Sequence, residues 1–128
     1  MPELPEVETI VRYLRLRLRG KRILDWQIRA AGVLRGAGSV GEFRKKTIGR
    51  KIIGLKRAGK NIILELEGRN YLLFHLMMTG QLLWNPTGER KHDRLVLKLS
   101  GSNRLVFNDL RRFGKCELVF PKKLDLGP

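Results

Sequence analysis

The feature that most constrains the fold is a succession of short apolar segments, which begins at Lys51 and continues almost to the end of the chain. Glycine-containing turns such as Ala58-Gly59 and Thr79-Gly80 separate most of these segments, as expected between antiparallel strands. Seven strands are predicted here, at 51–57, 60–67, 71–76, 81–84, 94–99, 104–107 and 116–120. Strands of this number and spacing favour an antiparallel two-sheet β-sandwich, or a barrel, over a single open sheet packed on two helices.

The first fifty residues predict two helices and one further strand. Between 4 and 18 apolar residues recur at three- and four-residue spacing, and Gly20 is suited to end the helix. The alternation of leucine and arginine over 14–19 also fits a strand, which leaves the end of this helix open. Ser39 and Glu42 have the spacing of a capping box, which predicts a short basic helix through Lys46.

The segment between the two helices divides into a strand and a loop. Residues 22–29 alternate apolar and polar side chains, as a half-buried strand does. Residues 30–38 contain three glycines and are predicted to form a loop. We therefore expect a mainly β fold, with an N-terminal α-helix and a second short helix flanking the sandwich.

The chain is strongly basic. It contains 27 lysines and arginines against 12 acidic residues, which gives a net charge of +15 and a pI near 11.0. Such an excess indicates a polyanionic partner, of which nucleic acid is the commonest. A ribosome-associated protein or one that binds anionic membranes is also compatible with this charge.

The cysteine and histidine content restricts the possible metal sites. Cys116 is the only cysteine, and His75 and His92 are the only histidines. This composition excludes a disulfide framework and a cysteine-based zinc site, and two histidines cannot complete a closed structural zinc site unless carboxylates join them. We expect no metal in this chain. Acidic residues occupy the place of a basic signal-peptide n-region, and no apolar run approaches the ~20 residues of a membrane span. We therefore expect a cytoplasmic protein.

The N-terminal stretch carries a possible nucleophile. Pro2 follows the initiator Met1, whose removal is favoured before small residues and would leave a secondary amine. A terminal amine titrates near pH ~8, against ~10.4 for lysine, so more of it is neutral and able to form an iminium with a sugar C1′. Glu3 would stand beside it as a proton donor or acceptor. The residues alone favour a plainer interpretation, in which Pro5 and the glutamates begin a helix.

Two further stretches contain candidate residues at strand ends. Lys60 follows a glycine turn and could face a phosphate, although most such lysines are simply solvated. His75 ends an apolar strand and could donate to a phosphate, or it could be a satisfied core histidine. Continued strand alternation would place His75 and Met77 on one face and Met78 on the other. Met78 could project into a groove or pack in the core.

Two polar clusters lie in the second half of the chain. Residues 90–94, which include His92, open a strand and by themselves predict a solvated edge. Residues 108–114 combine turn formers with Arg111, Arg112 and Phe113. Arginine and phenylalanine together can contact phosphates or bases and wedge a ring into a duplex. An ordinary turn with a buried phenylalanine explains the same residues equally well.

Taken together, these stretches resemble the N-terminal domain of the bacterial formamidopyrimidine-DNA glycosylases, over essentially the whole chain. The resemblance rests on PELPEVET at 2–9, the Ala58-Gly59-Lys60 turn, HLMMTG at 75–80, KHDRL at 91–95 and NDLRRFG at 108–114. Two residues depart from the family pattern, because Leu110 replaces a common proline and Met77 replaces a common glycine.

The resemblance implies a bifunctional glycosylase and AP lyase that removes oxidised purines from double-stranded DNA. Pro2 would attack C1′ of the damaged nucleotide, provided that Met1 is removed, and Glu3 would act as the acid/base. Lys60 would contact phosphate and assist the lyase step. A monomer acting on DNA with oxidised bases or abasic sites is expected.

The remaining implied roles concern DNA contact and domain organisation. His75, His92 and Arg111 would hold the backbone, while Met78, Arg111 and Phe113 would fill the gap left by the extruded nucleotide. We expect 1–120 to be the catalytic domain and 121–128 to begin a linker to a second domain, where the family has its zinc finger. The alternative is a basic, β-rich nucleic-acid-binding module without chemistry.

Overall fold

Two helices form where the sequence predicts them in the computed structural model, which describes residues 4–120. α1 spans Leu4–Leu18, and its apolar stripe is buried at Val7, Val11, Leu14 and Leu18. The alternative of a strand at the end of this segment is therefore wrong. Gly20, at φ +87°, lies just past the helix end as expected. α2 spans Val40–Thr47, and the Ser39 side chain accepts a hydrogen bond from the Glu42 N–H at 3.1 Å.

In the described part of the chain, nine strands form two sheets. The strands are β1 (Ile23–Ile28), β2 (Leu34–Arg35), β3 (Ile52–Ala58), β4 (Asn61–Leu66), β5 (Asn70–His75), β6 (Gly80–Trp84), β7 (Asp93–Leu99), β8 (Asn103–Asp109) and β9 (Lys115–Val119). One sheet has the order β1-β7-β8-β6 and the other the order β2-β9-β5-β4-β3. The prediction of a two-sheet sandwich with two helices is confirmed, and the single open sheet is wrong.

The core fills the space between the two sheets. Phe74 of β5 and Phe107 of β8 meet edge to face across it, with their ring centroids 5.9 Å apart. Trp26 and Phe43 make a similar contact at 4.8 Å, which holds α2 against β1. Burial of each large apolar side chain contributes about 1.5–3 kcal/mol, so the first contact helps to hold the two sheets together and the second helps to hold α2 on the sandwich.

The segment 30–38 is more ordered than its glycines predict. Ala31–Val33 form a 3-10 turn, and β2 then pairs parallel with β9 through Leu34 opposite Cys116. Val33 is buried and Leu34 packs against the core, so two apolar side chains hold this segment on the sheet edge. The prediction of a loop throughout is therefore wrong, and this pair is parallel in an otherwise antiparallel set of described pairings.

Within residues 4–120, neither α1 nor α2 is both long enough and apolar enough to cross a bilayer.

Candidate nucleic-acid interface

Two links between the sheets lie side by side at one end of the sandwich. Residues 76–79 connect β5 to β6, and residues 110–114 connect β8 to β9. Gly80 pairs with Asp109 at the point where these links meet, so the two loops are neighbours. The turn before β7 and the turn between β3 and β4 lie at the same end. The reason is that β7 begins beside the end of its antiparallel partner β8, and β4 begins beside the end of its antiparallel partner β5. The sandwich therefore gathers four loops from distant parts of the sequence.

Lys60 lies in the turn between β3 and β4, one residue before the strand that it was predicted to begin. The same turn is tied to α1. Arg57 donates to the Glu8 carboxylate at 2.7 Å and to the Gly59 carbonyl at 3.0 Å. The hydrogen bond from Arg57 is the main cause that lowers the pKa of Glu8 below its ordinary value. The first half of α1 is thus fastened beside Lys60.

Pro2 and Glu3 precede α1 in the sequence, and both lie outside the described residues. Their predicted roles therefore stay predictions.

His75 ends β5 and is half-buried on the outer face of the five-stranded sheet. Its Nδ1 lies 3.2 Å from Asn61 Oδ1, and its Nε2 lies 3.1 Å from Glu117 Oε1. A carboxylate only accepts hydrogen bonds, so Nε2 carries a hydrogen in this contact. Both ring nitrogens already have protein partners, and a phosphate would have to share or replace one of them.

Met77 and Met78 do not continue the strand. β5 stops at His75, and Met77 has φ +55°, so the predicted alternation of faces is wrong. The chain reverses here, since the Gly80 N–H donates to the Leu76 carbonyl at 2.8 Å. Met77 is 43% exposed and Met78 is 54% exposed, so neither packs in the core. Met78 therefore projects from a tight turn, and the interpretation of Met78 as a core residue is wrong.

The conformation of Met77 leads to a prediction about stability. A left-handed backbone costs an L-residue about 1–2 kcal/mol, which glycine avoids, although glycine loses roughly 0.5–1 kcal/mol more backbone entropy on folding. We expect Met77→Gly to raise the free energy of unfolding by up to about 1 kcal/mol in urea denaturation. Met78→Gly is the matched control, because Met78 is not in the left-handed region and should be destabilised. Equal losses in both variants would contradict the prediction.

The cluster 90–94 is not a solvated edge throughout, because Asp93 and Arg94 are both buried. Arg94 Nε donates to the Asp109 carbonyl at 2.8 Å, and its terminal nitrogen donates to the Leu110 carbonyl at 3.2 Å. The same terminal nitrogen lies 3.4 Å from Nδ1 of the half-buried His92. Burial lowers the pKa of Arg94 below its ordinary value. The prediction of a solvated edge fails because this guanidinium binds backbone carbonyls inside the fold.

Arg111 and Phe113 occupy the exposed link between β8 and β9. Phe113 is 52% exposed, so the alternative of a buried phenylalanine is wrong. The Arg111 guanidinium carbon lies 5.6 Å from the centroid of the Phe113 ring, within the range of a cation–π contact. Exposed apolar side chains grouped together commonly mark an interaction site, and four occur on these two links: Met77, Met78, Leu110 and Phe113.

The structure thus brings Met78, His92, Arg111 and Phe113 onto three neighbouring loops, with His75 at the start of one of them. Sequence reasoning missed the buried residue that joins these loops, Asp109. Its position at the end of a strand, directly before an exposed basic loop, was the available signal.

Potential metal ligands are not grouped in the described residues. Between residues 4 and 120, no three histidine, cysteine, aspartate or glutamate side chains come together as a metal site would require.

Comparison with known proteins identifies the family. The family model described as "Formamidopyrimidine-DNA glycosylase N-terminal domain" matches residues 1–116. The chain belongs to this family. The formamidopyrimidine-DNA glycosylase of Carboxydothermus hydrogenoformans is 39% identical over 130 residues, which cover 100% of this chain and 48% of that protein. The protein of the same name from Solibacter usitatus is 45% identical over 132 residues, with the same two coverages. The chain spans about half the length of these relatives.

Solved formamidopyrimidine-DNA glycosylases have the same fold. The Lactococcus lactis enzyme in complex with DNA containing Fapy-dG superposes with a TM-score of 0.85 at 31% identity, covering 94% of this chain and 45% of that one. Its complex with DNA containing an abasic site gives a TM-score of 0.86 at 31% identity, covering 95% and 45%. Both of those structures hold damaged DNA.

Proposed function

We propose that this chain is the N-terminal catalytic domain of a base-excision repair glycosylase with AP lyase activity, directed at oxidised purines such as 8-oxoguanine and formamidopyrimidines. The observation that carries the proposal is the family membership of the chain, whose solved relatives hold Fapy and abasic DNA. The net charge of +15 and the cluster of basic and exposed apolar side chains at one end support it.

The proposed chemistry begins at the N-terminus after removal of Met1. The Pro2 nitrogen attacks C1′ of the damaged nucleotide, the bond from C1′ to the base breaks, and the base leaves with a proton. Glu3 acts as the acid/base that helps to open the sugar, which leaves an iminium between Pro2 and C1′. Lys60 assists the lyase step, in which β- and δ-elimination expel the phosphates on both sides of the sugar.

The proposed DNA contacts divide between backbone and duplex interior. His75, His92 and Arg111 hold phosphates, and Met78, Arg111 and Phe113 fill the gap left by the extruded nucleotide. Extruding a base costs a few kcal/mol of stacking, which inserted apolar groups partly offset. The exposure of Met78 and Phe113 supports this role, since neither side chain is needed in the core.

The proposal also concerns domain organisation. Residues 1–120 act as the catalytic domain, and 121–128, all of which lie outside the described range, begin a linker to a second domain with the zinc finger of the family. By itself the chain binds DNA as a monomer and weakly, because it supplies only part of the clamp.

A comparison of duplexes tests the function. The processed chain should bind abasic DNA better than undamaged DNA and form a covalent adduct with it under borohydride. With about four phosphate contacts, affinity should fall roughly 100-fold between 50 and 200 mM salt. Equal affinity for both duplexes, with no adduct, would favour the non-catalytic binding module instead.

A further inference from the structure

We propose that Asp109 is a positioning residue that fixes three DNA-facing loops as one rigid unit, so that Met78, His92, Arg111 and Phe113 keep one arrangement. This inference rests on the proposed function for the purpose of the loops. The coupling of the loops rests on hydrogen bonds alone.

The Asp109 carboxylate joins two of the loops. Its Oδ1 accepts the hydroxyl of Thr79, from the link 76–79, and the backbone N–H of Arg111 at 3.3 Å. The same N–H lies 3.3 Å from the Thr79 hydroxyl oxygen. Oδ2 accepts the backbone N–H of Gly114 at 2.7 Å. One carboxylate therefore holds the link 110–114 near both of its ends and ties it to the methionine turn.

The Asp109 backbone joins the third loop. Its N–H donates to the His92 carbonyl at 3.0 Å, and its carbonyl accepts from Arg94 Nε at 2.8 Å. Arg94 also reaches the Leu110 carbonyl and the His92 ring. The N–H, the carbonyl and both carboxylate oxygens of Asp109 are thus all engaged, and the turn that carries His92 is held by the same residue.

The burial of Asp109 strengthens its hydrogen bonds. Its relative exposure is 0%, so the N–H and O–H groups that donate to its carboxylate take the place of water, and hydrogen bonds to a buried carboxylate are stronger than those between neutral groups. Position 114 has no room for a side chain, since a Cβ there would lie 2.7 Å from the His75 carbonyl oxygen and 2.9 Å from Asp109 Oδ2. The backbone of the link 110–114 therefore approaches Asp109 and the end of β5 closely at this point.

The hydrogen bonds made by Asp109 explain how exposed apolar side chains can be kept in position without burial in the core. Met78 and Phe113 are 54% and 52% exposed, so neither is buried in the core in a way that would order its loop. Hydrogen bonds beneath them order the backbone instead, which reduces the entropy lost when these side chains enter a duplex. Asp109 and Thr79 would therefore affect insertion without touching DNA.

Two substitutions test whether Asp109 holds the three loops together. Asp109→Asn turns one acceptor into an NH₂ group that faces an N–H, and Thr79→Val removes the hydroxyl while keeping the shape of the side chain. Thr47→Val is the matched control. It removes a different hydrogen-bonded hydroxyl, which is fully buried, accepts from Trp26 Nε1 and donates to the Phe43 carbonyl, away from these loops.

The first measurement uses the chain without DNA. Amide hydrogen exchange at Arg111 and Gly114 should become about tenfold faster in Thr79→Val, corresponding to loss of one net hydrogen bond. Thr47→Val should lower the unfolding midpoint but leave the exchange of these two amides unchanged. Unchanged exchange in Thr79→Val, with the fold intact, would overturn the coupling even if Asp109→Asn fails to fold.

The second measurement reports insertion. A duplex with 2-aminopurine opposite an abasic-site analogue should brighten when the wild-type chain binds, and Thr79→Val should lose most of that change while keeping the salt dependence of binding. Full brightening in Thr79→Val, despite faster exchange, would overturn the positioning role. If the wild type binds without any brightening, the proposed function fails, and the exchange data still decide whether Asp109 joins the loops.

Discussion

A chain that retains Met1 will form far less borohydride-trapped adduct with abasic DNA than the processed chain. In the unprocessed chain the Pro2 nitrogen is a tertiary amide, which has no lone pair available for attack on C1′. Trapping should therefore fall by at least about 100-fold, the scale expected when covalent catalysis is removed. Intact mass identifies the two species, and gel shift of the trapped complex measures the yield.

Binding provides the control for this prediction. The DNA-facing loops and the net charge are the same in both species, so affinity for an uncleavable abasic analogue should agree within about twofold. An equal trapping yield from the Met1-retaining chain would show that Pro2 is not the nucleophile.

Replacement of Glu3 by glutamine should slow the release of 8-oxoguanine by about 10²–10⁴-fold, the usual contribution of a positioned acid/base. The Pro2 amine is untouched, so trapping on an abasic site formed beforehand should fall much less. Single-turnover excision and borohydride trapping, measured on the same preparation, separate the two effects.

Glu89→Gln is the matched control for Glu3→Gln. It makes the same change of net charge at an exposed residue, so any gain in DNA affinity from lost negative charge appears in both variants. Excision by Glu89→Gln should stay near the wild-type rate. Equal losses of excision and trapping in Glu3→Gln would assign Glu3 a structural role instead.

Much of the fold follows from local patterns. α1 occupies the predicted segment because its apolar stripe has helical spacing, and the strands lie within a few residues of their predictions because glycine turns separate them. The parallel pairing of β2 with β9 could not be predicted, since Leu34 and Cys116 are far apart in sequence. Local patterns contain no information about such pairing partners.

The candidate site was less accessible from the sequence. Motifs placed Arg111 and Phe113 on a turn, and the structure has them there, whereas Lys60 lies in the turn just before the strand that it was predicted to begin. Charged residues are rarely buried, so the burial of Arg94 and Asp109 could not be expected from their type. Their burial depends on carbonyls and N–H groups that only the assembled loops bring together.

The most direct test is to locate the covalent adduct. Processed chain would be trapped on an abasic duplex, digested, and examined by peptide mass spectrometry. We expect the deoxyribose remnant on the N-terminal peptide, attached to the Pro2 nitrogen. Attachment to Lys60 or to another lysine, with Pro2 unmodified, would contradict the proposed mechanism.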